Sequence, residues 1–245
     1  MIIKSMTGVF CVLAVACGGA AQAPTAHVAA LESCPGGAAH SAAELAAYRG
    51  CGLIEGDLTV SGVSSLAALS DVHAIAGSLT ISDTARLSTL AGLEQLQTVT
   101  RLELRRNAAL RSVAELSRLH QARTVTIDGN PALRNLEGFS GLSKIESLSV
   151  RQTGLYSLHG LENLLTVGLL EIQNNSELID PSALNGVIQA SEVVVAQNPR
   201  LCSYFGFLAG IQRPGRVALS GNIGLDKSSV LRFQESKTQA TIAAR

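Results

Sequence analysis

The chain contains no tryptophan, and only 3% of its 245 residues are aromatic. Its core must therefore be built from Leu, Val, Ile and Ala. Net charge is also missing, with 19 basic residues against 19 acidic ones. This balance excludes the basic footprint that nucleic-acid binding requires. No two of the five cysteines stand at C-x-x-C spacing, which argues against a cysteine metal site. Catalytic signatures are missing too: there is no H-E-x-x-H, G-x-S-x-G or phosphate-loop pattern, and Gly138-Phe-Ser-Gly141 fails the nucleophile-elbow spacing. Of the five histidines, His73, His120 and His159 fall at offsets of 15, 18 and 11 from their own strand starts, and His27 and His40 precede the repeats. All read as surface or loop residues. No catalytic residue, metal ligand or cofactor is expected.

What is present is a repeat. Eight segments of the form apolar-x-apolar-x-x-Asn open at Leu58, Leu79, Leu102, Val125, Leu148, Leu170, Val193 and Val217, at intervals of 21 to 24 residues. That period specifies stacked coils, each of which can bury its apolar side only against its neighbours. Inward pairs run from Leu58/Val60 to Val217/Leu219, and a third inward column reads Val63, Thr84, Asn107, Asn130, Thr153, Asn175, Asn198 and Asn222. Stacked Asn107, Asn130, Asn175, Asn198 and Asn222 are expected to form an amide ladder that satisfies the turning backbone. Glycines 92, 138 and 160 are expected at turns that a Cβ would hinder. The formal glycosylation sequon Asn174-Asn-Ser176 is read as part of the Asn column.

The N-terminus reads as a targeting segment, with Lys4 preceding the apolar run Met6 to Ala16. Two processing readings stand. Leu13-Ala-Val-Ala-Cys17 resembles the bacterial lipobox, although Ala14 replaces the preferred Leu; residues 1–16 would then be the signal peptide and Cys17 the lipid-bearing first residue of 17–33, a flexible tether. Gly18 then resembles the default signal for the outer membrane. The alternative is cleavage after Ala23 and a secreted or periplasmic protein. In such a compartment Cys34 and Cys51, which flank one short segment, are the expected disulfide. Ser41-Ala-Ala-Glu44 is a capping box opening a short helix that ends near Tyr48 and Gly50, so residues 34–56 read as a helical cap.

The pattern Cys51-x-x-Ile54-x-Gly56-Asp-Leu-Thr-Val60, the Gly-Leu-x-x-Leu-x-x-Val phase at 92–99 and Asn198-Pro-x-Leu-Cys202 together resemble the receptor L domain. That domain is the leucine-rich-repeat-like β-helix of insulin and epidermal growth factor receptors and of bacterial surface proteins. The resemblance implies a mainly β, right-handed solenoid over residues 57–225, with about eight repeats and an N-terminal capping helix. Residues 226–245 then form a C-terminal cover or tail. In the receptors a cysteine-rich module follows. None follows here, so Cys202 reads as a buried small apolar residue.

Function then falls to the outward columns of the strands. Charge gathers at Arg101, Glu103, Arg105, Asp128, Arg151, Glu171 and Gln173, the candidate binding face. Asp128 lies between Arg105 and Arg151 and is expected to pair with both in a cross-strand ion ladder. Glu103 and Glu171, three strands or roughly 14 Å apart, are too distant for a glycosidase acid/base pair. The expectation is a non-enzymatic, membrane-anchored envelope lipoprotein that recognises a protein or glycan. A scaffolding protein without a discrete ligand is the alternative, and a polysaccharide-active enzyme ranks behind both.

Overall fold

The computed structural model describes residues 31–201, 210–211 and 216–222. The signal peptide, Cys17, the tether up to residue 30, His27, Cys202, Leu225 and the cover or tail at 226–245 lie outside the described residues.

Strand dominates, as the alternation of aliphatic and polar residues dictates. The strands are β1 (Glu32–Cys34), β2 (Gly37–Ala39), β3 (Cys51–Ile54), β4 (Leu58–Ser61), β5 (Ala74–Ser82), β6 (Thr98–Arg105), β7 (Gln121–Asn130), β8 (Lys144–Thr153), β9 (Thr166–Gln173), β10 (Gln189–Ala196) and β11 (Arg216–Ser220). From β5 onward each pairs in parallel with the next along the chain, leaving an open sheet in the order β1-β3-β5-β6-β7-β8-β9-β10-β11. β4 lies between β2 and β5. Registers such as Leu79↔Leu102 and Leu102↔Val125 place like residues over like. The inward residues of β4 to β10 are buried, so each layer seals the one before it. Val217 and Leu219 on β11 are only half-buried.

The strands are longer than the repeat suggests. β5 to β10 run for eight to ten residues, because an upstream segment joins the sheet through Ile75, Val99, Ala122, Ile145, Val167 and Ala190, all buried. Between the two segments two consecutive residues face outward in β6 to β10, as with Arg123 and Thr124 or Glu146 and Ser147, and three, Ala76 to Ser78, in β5. Each of these strands thus bends and presents two outward faces, an upstream one and a downstream one.

The cap is not simply helical. β1 and β3 continue the parallel sheet, so Glu32 and Ser33 belong to a strand and not to the tether. A disulfide between Cys34 and Cys51 joins these two strands. The helix α1 (Ala42–Leu45) runs into a 3₁₀ turn at Ala46–Tyr48, and Gly50 follows at φ 78°. Ser41 Oγ accepts the Glu44 N–H at 3.2 Å as a cap should, but the Glu44 carboxylate accepts from His40 N–H at 2.7 Å and not from Ser41.

Turns close each coil by two devices. Gly62, Asp83, Arg106, Gly129, Gln152, Asn174, Gln197 and Gly221 all have φ between 50° and 69°, and each directly precedes the residue of the Asn column. This left-handed residue swings the chain off the strand, so the next side chain points into the core. Asn174 is therefore exposed in the left-handed position, and Asn175 is the member of the buried column. The second device is close approach between coils. A Cβ on Gly92, Gly138 or Gly160 would overlap the carbonyl oxygen of Leu66, Val113 or Leu136 in the coil before.

Candidate recognition face

The Asn column forms hydrogen bonds from coil to coil. Asn107 Oδ1 accepts from Thr84 N–H at 3.2 Å and from the Thr84 hydroxyl at 2.6 Å, and Asn107 Nδ2 donates to Ile81 O at 2.9 Å. Asn130 Oδ1 takes the Asn107 N–H at 3.0 Å, while Asn130 Nδ2 donates to Leu104 O at 2.8 Å. A second run starts at Thr153, whose N–H and hydroxyl reach Asn175 Oδ1 at 3.1 and 2.6 Å. It continues through Asn198 Oδ1, which accepts from Asn175 N–H at 3.0 Å, to Asn222 Oδ1, which accepts from Asn198 N–H at 2.9 Å. These amides hold the coils in register and keep the outer columns aligned.

On the downstream face the register is as the repeat predicts, with Arg105↔Asp128 and Asp128↔Arg151. The ion pairs differ. Arg105 Nε donates to Glu103 Oε2 at 3.0 Å along its own strand, and Arg151 pairs with Glu171 diagonally across β8 and β9. Among the described residues the Asp128 carboxylate has no ion pair, so the expected ladder is absent. Side-chain length explains this. A guanidinium on a long stem reaches past the short Asp beside it, and a Glu two positions back meets it.

Glu171 gathers the centre of the face. It accepts from Ser149 Oγ at 3.0 Å, Gln173 Nε2 at 2.8 Å and Arg151, and its side chain is only 13% exposed. Arg151 Nε, enclosed in this cluster, has no hydrogen-bond partner among the described residues, and neither has Thr124 Oγ1, which lies apart at the bend of β7 beside Arg101 and Ser147 in register. Arg101 is exposed at the bend between the two faces, near Asp57. The Asp57 carboxyl lies below its usual range because Ser78 N–H donates to it at 2.6 Å, with the Ser78 side chain and Arg101 adding to the effect. Glu103 and Glu171 stand three strands apart through Thr126 and Ser149.

Other charges brace neighbouring coils. Arg106 forms a bidentate pair with Asp83, at 2.7 and 2.8 Å, which holds the Asp83 carboxyl low. Within one coil His159 Nδ1 meets Glu162 Oε1 at 2.6 Å, and a neutral contact joins His40 to Ser61 Oγ at 2.7 Å. The histidine spacing needs correcting. Gln97 N–H donates to His73 O and His120 N–H to Gln97 O, so His73 and His120 occupy one column two coils apart. Each directly precedes the first residue of its following strand, Ala74 of β5 or Gln121 of β7, a start that the upstream segment hides from the repeat motif. His159 lies elsewhere.

The upstream face was not visible in the repeat pattern. On it an open groove of about 540 Å³ lies between residues 120–123 and 143–146. Among the described residues no group of His, Cys, Asp or Glu could hold a metal ion, and no helix is long and apolar enough to cross a membrane. No protein-family model matches the chain, and no curated protein matches it.

Proposed function

We propose that this chain is a non-enzymatic cell-envelope lipoprotein that recognises a protein or glycan through the outer surface of its strands. On this reading the parallel sheet is the wall of a right-handed, leucine-rich-repeat-like β-helix of about eight coils, similar to the receptor L domain. Cys17 carries the lipid that holds it at the outer membrane.

The observation that carries the reading is the Glu171 cluster. Arg151, Ser149 and Gln173 are fixed on one carboxylate at the middle of an open face, so a partner meets side chains that have already lost their freedom. The enclosed Arg151 Nε within it supports the same view, since an unmet buried donor costs about 1–3 kcal/mol and a purely structural face would be free of such a cost. Glu171 is held in ion pairing and hydrogen bonding, and its nearest acidic counterpart in that column, Glu103, is three strands away. This arrangement suits recognition better than acid/base chemistry.

The test is affinity capture from envelope extract with the detergent-solubilised full chain, repeated with Arg105, Asp128 and Arg151 replaced by Ala. A discrete partner that the triple variant loses is the expected result. Equal capture by both forms would reject the face, and no captured species from either would reject recognition.

A further inference from the structure

The groove on the upstream face has its own chemistry. Its walls are His120 to Arg123 at the start of β7 and Ser143 to Glu146 at the start of β8. Its volume, about 540 Å³, is within the range of sites that bind small groups or peptide side chains. Two cations line it, Arg123 and Lys144. Arg123 is already neutralised by Glu146 across the groove. Lys144 is not: among the described residues no carboxylate pairs with it, and its register partner on β9 is Thr166. It is also the sole lysine between residues 31 and 222. The His120 imidazole uses Nδ1 on Arg118 O at 3.1 Å, which fixes the proton on that nitrogen and adds no negative charge to the site. The groove therefore carries one uncompensated positive charge.

An exposed apolar stripe continues from the adjoining column, that of Ser143. The backbone chain of hydrogen bonds runs from Ser143 O to Leu165 N–H at 2.9 Å and from Leu165 O to Ile188 N–H at 2.9 Å, so these residues stack on successive coils. Leu165 and Ile188 are each 46% exposed, among the few large aliphatics so far out of the core. With strands about 4.8 Å apart, the two apolar side chains begin one and two coils, roughly 5 and 10 Å, beyond Lys144.

We propose that this groove docks an extended segment of a protein partner, with a carboxylate side chain at Lys144 and an aliphatic side chain on Leu165 and Ile188. An extended chain rises about 3.3 Å per residue, so the aliphatic residue follows the acidic one by two or three positions. An acidic glycan would satisfy Lys144 but would leave the Leu165–Ile188 pair uncovered, and no Phe, Tyr or Trp lines the groove for a sugar ring to stack upon. The inference rests on the recognition function proposed above and places an anchor point for it.

The experiment uses the detergent-solubilised full chain and fluorescein-labelled, terminally blocked octapeptides of Gly and Ser that carry Glu with Leu two or three positions later. Fluorescence anisotropy should show at least tenfold tighter binding than for peptides with Gln in place of Glu or Ser in place of Leu. Lys144→Glu should remove that preference and confer binding of a further peptide with Lys in place of Glu, while Leu165→Ser with Ile188→Ser should abolish discrimination between Leu and Ser. Both changes are at exposed positions, and unchanged thermal midpoints verify folding. Equal binding of Glu and Gln peptides, or no peptide binding at all, overturns the proposal. So does Lys144-dependent binding of an oligogalacturonate without peptide binding. If an envelope partner is captured by wild type and by Lys144→Glu alike but lost on replacing Arg105, Asp128 and Arg151, the groove is rejected and the recognition function stands.

Discussion

Asn130 and Thr153 stand opposite each other in register on β7 and β8, and the Asn relay divides there. The Thr153 hydroxyl donates forward to Asn175 Oδ1 at 2.6 Å, and no side-chain amide at 153 takes up the Asn130 N–H as Asn130 takes up that of Asn107. Two short runs, each headed by a threonine, therefore replace one continuous ladder. Asn198 lies inside the second run, so Asn198→Ala strands the Asn175 N–H and the Ile172 carbonyl, while the Ala196 carbonyl keeps the Asn174 N–H at 3.1 Å. The expected loss is about 1–3 kcal/mol in urea unfolding, larger than that of Thr153→Ala. Equal losses would show that the amides do not act as a relay.

The left-handed column predicts opposite signs at two of its positions. Gly129→Ala forces a Cβ into φ 69° and within 3.3 Å of the Arg106 side chain, and should destabilise by about 1–2 kcal/mol. Gln152→Gly, at φ 50°, relieves the same strain and should be neutral or stabilising by up to about 1 kcal/mol despite the freer unfolded chain. Matched thermal melts of the two variants decide it; a stabilising Gly129→Ala would contradict the geometry.

At Gly138 the constraint is contact with a neighbouring coil. A methyl group overlaps the Val113 carbonyl oxygen, part of the neighbouring backbone. Gly138→Ala should cost about 1–3 kcal/mol or more, whereas Gly50→Ala, with no atom within 4 Å, meets only its positive φ. Chemical denaturation of the pair separates the steric effect from the conformational one.

The Cys34–Cys51 bridge closes a loop with a sequence separation of 17, for which chain entropy gives about 3 kcal/mol. The double Cys→Ser variant should lose roughly that much stability. Hydrogen exchange should show the opening concentrated in β1, β2 and α1. Uniform exchange across β5 to β10 would instead make the bridge a global brace.

Acid should weaken the junction of β4 and β5. The Asp57 carboxyl is lowered in the folded state by the Ser78 N–H, so its contribution is fully present above the ordinary carboxylate pKa of about 3.9 and is lost as pH falls through the lowered folded value. Asp57→Asn should flatten the stability profile below about pH 4 relative to wild type. Parallel profiles would remove Asp57 from the account.

The inward half of each coil was readable from the sequence because burial imposes one side-chain type at one spacing, as at Leu79, Leu102 and Val125. The left-handed column was not, since Asp83, Arg106, Gln152 and Gly129 share a backbone angle and no side-chain chemistry. The upstream strand segment was hidden for a related reason: Ile75 and Val99 are separated from the repeat motif by the bend, so the alternation skips a beat. Asp128 shows a further limit. Its neighbours followed from register, but the partners of Arg105 and Arg151 depend on side-chain reach, which register does not encode.

The central claim is recognition through the outer surface of the strands. It is tested most directly by a photo-crosslinking amino acid placed at Thr126, beside the Glu171 cluster, and separately at Ser140, just after the 3₁₀ turn Glu137–Phe139, in cells producing the full chain. A discrete adduct from Thr126 and none from Ser140 is the predicted result. Adducts of equal yield at both positions, or at neither, would contradict it.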